Sequence, residues 1–256
     1  MKIRIKFTKE GHMKFIGHLD MMRYFQKAFR RSGIDIAYSQ GFSPHQLISF
    51  ASPLGLGLTS TGEYMDIIVH STGDSKAMIE RLNREMVEGV QIISWHLIED
   101  ETKNSNAMSI LAAADYAVTF KTPALPDALM AERLSGFMEM EQILVEKKTK
   151  KSIKTVDIRP LIYEAKCDGP AVFLKLCAGS VNNLKPEVVM ETFMRASGYE
   201  PDLMSLNICR LEMYARAADG SLVSLDDLGR EIFSGTAGAK ELSAEAPELS
   251  SARAEG

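Results

Sequence analysis

Residues 37–50 read AYSQGFSPHQLISF, and this stretch decides how the first half of the chain is interpreted. Gly41 and Pro44 mark a turn within it, because glycine adopts backbone angles closed to other residues and proline fixes its own. Aromatic and hydrogen-bonding side chains crowd the same span. Its candidate binding residues are Tyr38, Ser39, Gln40, Phe42 and His45. We expect the rings of Tyr38 and Phe42 to pack beneath the turn.

A helix precedes the turn at residues 18–31, HLDMMRYFQKAFRR. Helical spacing predicts an inward stripe that includes Leu19, Met22 and Phe29. Asp20 lies in the first turn, where a carboxylate favours the positive end of the helix dipole. Basic residues follow the opposite side of the helix as candidate phosphate contacts: Arg23, Lys27, Arg30 and Arg31.

Residues 2–8, KIRIKFT, alternate between charged and apolar side chains. This period of two predicts a half-buried strand whose basic side chains Lys2, Arg4 and Lys6 face solvent. By the same criteria a strand at 34–39 leads into the turn, and 46–51 is its continuation or return. Strands at 63–70 and 90–98 and a helix at 75–86 follow. The order β-α-β-β-α-β is that of a ferredoxin-like unit.

The same order of elements recurs in the second half. Strands are predicted at 116–121, 143–165, 171–177 and 206–215, and helices at 127–140 and 186–196. We therefore predict an α/β (α+β) fold of two tandem ferredoxin-like βαββαβ halves with a disordered C-terminal tail. The predicted division is an N-terminal half at 1–100, a connector at 101–114, a C-terminal half at 115–216 and a tail at 217–256.

Charge is unevenly distributed along the chain. Residues 1–50 contain nine Lys/Arg and three Asp/Glu, a balance of +6, whereas residues 217–256 contain three and eight, a balance of −5. Such asymmetry indicates a basic working surface and an acidic tail. Residues 222–232 predict one short helix, and residues 235–256, which are rich in Ala, Ser, Gly and Glu, predict disorder.

Composition excludes several classes of protein. A hydrophobic content of 45% and a charged content of 25% are typical of a globular chain, and no apolar run is long enough to cross a membrane. The three cysteines are scattered, which favours reduced thiols and a cytoplasmic location. Neither a dinucleotide-binding nor a phosphate-loop motif is present, so we expect no cofactor.

Residues 18–57, HLDMMRYFQKAFRRSGIDIAYSQGFSPHQLISFASPLGLG, resemble a signature of the radical-SAM-linked proteins, a bacterial domain of unknown function. The family pattern places a serine before His-Leu-Asp at the helix start, whereas this chain has Gly17 there. The Tyr-Ser-x-Gly-Phe-x-Pro-His element is matched at 38–45, and residues 156–160, VDIRP, resemble an element of the second half. The resemblance spans residues 1–215.

This resemblance implies a partner of a radical SAM protein. The chain has no CxxxCxxC motif, which the iron–sulfur cluster of such an enzyme requires, so the partner would do the chemistry. We therefore expect a non-catalytic accessory or adaptor protein.

RNA or a ribonucleoprotein is the expected substrate that the adaptor presents. A second basic group lies between two apolar segments. It is typical either of a basic hairpin that contacts a nucleic-acid backbone or of a solvated Lys-rich loop without a ligand. It comprises Lys147, Lys148, Lys150, Lys151, Lys154 and Arg159. We expect the strands to lack the paired exposed aromatic residues of an RNA-recognition motif.

The alternative is a small RNA-processing hydrolase. His18 and Asp20 at the helix start and His45 after the turn are its candidate catalytic residues. The same three residues are also typical of caps and turns that fix a loop, or of a ligand site. Their spacing is no metal signature, so we expect no metal.

Overall fold

The predicted N-terminal strand lies in the middle of the first half. The computed structural model describes residues 1–99, 105–121, 127–148, 153–180 and 182–234, and in it this strand, β1, spans Lys2–Lys9. β1 pairs antiparallel with β3 (Thr59–Ile68) on one side and with β4 (Ile92–Ile98) on the other. β2 (Ile48–Phe50) adds to β3, so the order is β4-β1-β3-β2.

Two helices cover one face of these strands. α1 spans His18–Arg31 and α2 spans Ser75–Asn83. α1 buries Met21, Phe25, Ala28 and Phe29, whose spacing places them on one side of the helix. The predicted inward position of Leu19 is wrong: this side chain is 70% exposed, because it lies outside the stripe that begins at Met21. Each large apolar side chain so buried stabilises the fold by roughly 1.5–3 kcal/mol.

The second half also has a four-stranded set of strands with helices on one side. After the one-turn helix α3 (Ala107–Ile110), the sheet strands are β5 (Leu111–Phe120), β8 (Ile162–Asp168), β9 (Ala171–Cys177) and β10 (Leu206–Arg216). Their order is β10-β5-β9-β8, all antiparallel. α4 (Asp127–Met138) and α5 (Pro186–Ala196) pack on one side of them. β6 (Leu144–Lys148) and β7 (Ile153–Asp157) form a separate hairpin.

A parallel contact between β3 and β10 joins the two sets of strands. Thr59 pairs with Cys209 and Ser60 with Arg210. Gly62 is required beside this contact, because a Cβ there would collide with the carbonyl oxygen of Leu211. The described strands, apart from β6 and β7, therefore belong to one nine-stranded sheet. Two separate tandem ferredoxin-like halves are not confirmed; the structure is a mixed α+β fold with a mostly sheet core.

The basic side of β1 is buried, contrary to the half-buried prediction. Arg4 is 1% exposed and forms two hydrogen bonds, of 2.8 and 3.1 Å, with the carboxylate of Asp66. Lys6 contacts Glu212 at 2.7 Å, and Lys2 is buried. The acidic partners come from β3 and β10, so alternation within β1 could not reveal them.

The C-terminal segment covers part of this charged side. The predicted helix at 222–232 is wrong, because residues 222–224 form strand β11 (Leu222–Ser224), which pairs with β10. Leu225 and Ile232 are buried, and Arg230 exchanges two backbone hydrogen bonds with Leu97. The folded part thus continues to residue 234, beyond the predicted tail boundary at 217. The predicted disorder of residues 235–256 lies outside the described residues. Where the structure describes the chain, no helix has the length and apolarity to cross a membrane.

Candidate functional site

A small pocket opens at the start of α1. Its lining includes Lys9, His18, Phe50 and Glu63, from β1, α1, β2 and β3. The ring of His18 meets that of Phe50 edge-on, with centroids 5.1 Å apart. The cavity measures about 20 Å³, which is room for about one water molecule. A pocket of this size excludes a typical small-molecule substrate.

The polar side of this pocket joins the two halves of the sheet. Glu63 accepts hydrogen bonds from Nε and Nη2 of Arg210, at 2.8 and 2.6 Å, and both side chains are buried. Arg210 also donates to the carbonyl of Ser52 at 2.8 Å. Burial lowers the pKa of the neighbouring Lys9, an effect that the Glu63 carboxylate partly offsets. This arrangement holds strands together and leaves its charges little access to a ligand.

Residues 38–46 form a loop that leaves the sheet edge, here named the Phe42 loop. The backbone N–H of Ser39 donates to the carbonyl of His45 at 2.8 Å, and Tyr38 bridges Gln46. The backbone N–H of His45 donates to Ser39 Oγ at 3.1 Å, and this Oγ also lies 2.8 Å from Nδ1 of the His45 imidazole ring. Since Oγ accepts the backbone hydrogen bond, its own proton is available for Nδ1, which favours the tautomer with the proton on Nε2.

The two aromatic residues of the Phe42 loop are exposed to different degrees. Phe42 is fully exposed, at 112% of its reference accessibility, and Tyr38 is 45% exposed. The expectation that both rings pack beneath the turn is therefore wrong. Gln46, which is buried and donates to the Tyr38 hydroxyl at 3.3 Å, occupies the position beneath the loop instead. Gly41 has a φ of 113°, which explains the requirement for glycine at the tip. Gln40 is exposed beside it.

The three candidate catalytic residues lie in separate surroundings. His18 packs on Phe50, Asp20 forms an exposed 3.2 Å ion pair with Arg23, and His45 is bound within the Phe42 loop. Within the described residues, no group of His, Cys, Asp and Glu side chains has the geometry to hold a metal ion. Each of the three side chains thus contacts a different local partner.

The basic residues of α1 remain on the protein surface. Arg23, Lys27 and Arg30 are exposed. Arg30 donates a hydrogen bond to the backbone carbonyl of Gln26, which carries no charge. Arg31 is engaged differently, in a 2.8 Å ion pair with Glu85. Exposed pairs such as Arg23–Asp20 contribute little and exchange readily, so three cations along α1 can meet phosphates.

The second basic group is only partly within the described residues. Lys147 and Lys148 belong to β6, and Lys147 pairs with Lys154 of β7, which is exposed. Lys150 and Lys151 lie outside the described residues. Arg159 is half-buried and donates to the carbonyls of Met138 and Ile162, so its guanidinium fixes the end of the hairpin.

A set of aromatic residues on the second half was missed from the sequence. Tyr163, Phe173 and Tyr214 lie on the side of the sheet opposite α4 and α5, each within 6 Å of a basic side chain. The pairs Phe173/Lys175 and Tyr214/Arg216 alternate with apolar residues, a period-two signal that could have placed them on one side of a strand.

These features define an α+β protein with a long mixed sheet and an exposed, internally hydrogen-bonded loop. A family model described as an uncharacterized protein conserved in bacteria (DUF2344) matches residues 2–186. The match covers more than half of the chain, which therefore belongs to this bacterial family. No curated protein matches the chain. The match brings no support for a link to radical SAM proteins, which stays a proposal.

Proposed function

We propose that this protein is a non-catalytic accessory protein that binds RNA, free or in a ribonucleoprotein, and works with a radical SAM enzyme. The observation that carries the RNA part is the fully exposed Phe42 on a loop held by its own hydrogen bonds. Exposed aromatic side chains on ordered loops are typical anchors of an interface. Unpaired bases stack on such rings, at about 1–3 kcal/mol per base.

The polar residues of the Phe42 loop support this function through preorganisation. Ser39, His45 and Gln46 bind other parts of the loop, so the loop does not need to be ordered when a ligand arrives. Ligands gain affinity when that ordering entropy has already been lost. The cations of α1 would contact the phosphates, because α1 ends only seven residues before Tyr38, a reach of at most about 25 Å.

We also propose an interpretation of the fold. The strand orders β4-β1-β3-β2 and β10-β5-β9-β8 are consistent with two ferredoxin-like units fused through β3 and β10. We infer such a fusion as the scaffold that displays the Phe42 loop. The radical SAM partner rests on the resemblance of residues 18–57 and 156–160, and the cytoplasmic location rests on the three scattered cysteines.

The test is binding of a fluorescently labelled 12-nucleotide oligouridine, followed by polarisation. Phe42→Ala should weaken binding by roughly 5- to 150-fold, the range for one stacked base. Phe15→Ala is the matched control, because Phe15 is also an exposed ring, at 65%, but lies outside the loop. Equal affinities for wild type and Phe42→Ala would remove the loop from the function.

The radical SAM part needs its own experiment. We expect the radical SAM protein of the same bacterium to co-purify with the tagged chain when both are expressed together. Failure of two well-folded proteins to associate would remove this partner and leave the RNA proposal standing.

The hydrolase alternative is tested with the same RNA. The separate surroundings of His18, Asp20 and His45 predict that purified protein leaves oligouridine intact. Cleavage that disappears in both His18→Ala and His45→Ala would instead establish the hydrolase.

A further inference from the structure

Three aromatic–cation pairs lie on one side of the C-terminal strands, here named the aromatic face. Lys166 Nζ lies 5.0 Å from the ring centre of Phe173, and Lys175 Nζ lies 4.1 Å from that of Tyr214. The guanidinium of Arg216 lies 5.6 Å from the ring centre of Tyr163 and donates to its hydroxyl at 3.2 Å. Distances below about 6 Å are those of cation–π contacts.

Strand register places all three rings opposite the helices. Val172, Leu174 and Leu176 of β9 are buried on the helix side, so Phe173 and Lys175 between them point the other way. Tyr163 lies at a bulge where β8 meets β9, and Tyr214 lies next to the buried Met213 of β10.

The rings of the aromatic face are spread over several strands and differ in exposure, since Phe173 and Tyr214 are half-buried. Tyr163 is 38% exposed and the side chain of Lys166 is 58% exposed. Tyr163 and Tyr214 lie on β8 and β10, three strand spacings apart, which separates their backbones by about 14 Å. A ligand that contacts all three rings must therefore be extended.

Cations and carboxylates are mixed around these rings. Lys166 pairs with Glu164 at 2.7 Å, and Lys175 lies 3.4 Å from Asp115, whose other oxygen accepts from the Tyr214 hydroxyl at 2.7 Å. Arg216 donates to the Gly220 carbonyl and to Tyr163, neither of which is charged. Further carboxylates lie nearby, because burial, Asp115, Glu212 and Asp227 raise the pKa of Tyr214, and Glu164 and Asp168 raise that of Lys166. Among the described residues the face therefore has no positive excess, so stacking and not charge would supply the affinity.

We propose that the aromatic face is a second nucleic-acid site, which takes unpaired nucleotides by stacking bases on Tyr163, Phe173 and Tyr214. The neighbouring cations are long, flexible side chains that can move from the ring to the phosphate of the stacked nucleotide. Every base has a π-face, so such a site is tolerant of sequence. The inference rests on the proposed function for its ligand, RNA, but uses a surface distant in sequence from the Phe42 loop.

The test compares a face variant with wild type, Phe42→Ala and a matched control. The face variant is Tyr163→Leu/Phe173→Leu, which keeps apolar side chains and leaves the Tyr214–Asp115 hydrogen bond in place. Phe15→Leu removes an exposed ring elsewhere. The ligands are 12-nucleotide oligouridine, oligothymidine of equal length and a 12-base-pair RNA duplex.

We expect the face variant to lose at least about 25-fold in affinity for oligouridine, from roughly 5-fold per stacked base at the low end of the range. The slope of log affinity against log salt should stay within about half a unit of wild type, because no charge is removed. Phe15→Leu should bind as wild type does, and the duplex should bind weakly because its bases are paired. Comparable binding of oligothymidine would define the ligand as any single strand; much weaker binding would restrict it to RNA.

The outcomes separate this inference from the proposed function. Wild-type affinity in the face variant, together with weak binding by Phe42→Ala, overturns the aromatic face and leaves the proposed function standing. Weak binding by the face variant, together with normal binding by Phe42→Ala, supports the aromatic face and removes the Phe42 loop from RNA binding. If wild type binds no RNA, both fail, and the three pairs serve only to stabilise an exposed sheet.

A second measurement covers the case in which the face variant does not fold. Ultraviolet cross-linking of wild type to 4-thiouridine RNA should attach nucleotides to the peptides that contain Tyr163, Phe173 or Tyr214. Cross-links confined to other peptides would overturn the proposal without any substitution.

Discussion

Two kinds of residue share the Phe42 loop. Ser39, His45 and Gln46 form its internal hydrogen bonds, while Phe42 contributes none of them and is fully exposed. The turn itself was predicted from Gly41 and Pro44, because turn chemistry is local. The predicted inward direction of the Phe42 ring was wrong, since an apolar residue in a turn has the same sequence pattern whether its ring is buried or exposed.

The buried Glu63–Arg210 pair gives a stability prediction at this scale. Glu63→Gln should lower the free energy of unfolding by about 3–5 kcal/mol, because it leaves the buried Arg210 charge without a counter-charge. The measurement is urea denaturation at pH 7. Glu164→Gln, which breaks an exposed pair with Lys166, is the control and should change stability by at most about 1 kcal/mol. Equal effects of the two substitutions would contradict the assigned role of Glu63.

Lys9 gives a prediction about pH. Burial lowers its pKa from the ordinary 10.5, so the folded state binds this proton less tightly than the unfolded state. The penalty is complete below the folded pKa and disappears as pH rises toward 10.5. Stability of wild type relative to Lys9→Met should therefore increase between pH 7 and pH 10.5. Denaturation of both proteins across this window tests it, and a constant difference would show that Lys9 titrates as in the unfolded chain.

At the scale of elements, the close contact of β3 with β10 depends on one missing side chain. Gly62→Ala should cost about 1–3 kcal/mol or more, because the new Cβ meets the backbone of Leu211, which cannot move without shifting β10. Gly55→Ala is the control, since its Cβ would meet only Leu58 at 3.7 Å. The measurement is the melting temperature of both variants, which should be clearly lower for Gly62→Ala. Similar melting temperatures would mean that the junction adapts easily.

The elements also show where prediction from the sequence ends. α1, α5 and the main strands were found from hydrophobic spacing, which is set within each element. The burial of Arg4 and the ion pair of Lys6 were missed, because their partners Asp66 and Glu212 lie 62 and 206 residues away. The sequence of residues 222–232 predicts a helix, yet pairing with β10 and burial of Leu225 favour an extended segment.

At the scale of the whole molecule, the sheet is continuous although the order of elements suggests two halves. The strand pairing at the junction is between Thr59 and Cys209 and between Ser60 and Arg210, and no local sequence pattern predicts a pairing between residues so distant. The candidate binding surfaces also differ in whether the sequence alone could locate them. The Phe42 loop was located from its motif, whereas the aromatic face needs four strands in register before its residues become neighbours.

Salt dependence of RNA binding tests the central claim most directly. Oligouridine affinity should fall steeply with salt in wild type, and Arg23→Gln/Lys27→Gln/Arg30→Gln should flatten the log–log slope by about 2 units, from about 0.7 per lost phosphate contact on a single strand. Phe42→Ala should weaken binding without changing that slope. Identical slopes for wild type and the triple variant, or no binding by wild type at about 50 mM salt, would contradict an RNA-binding surface formed by α1 and the Phe42 loop.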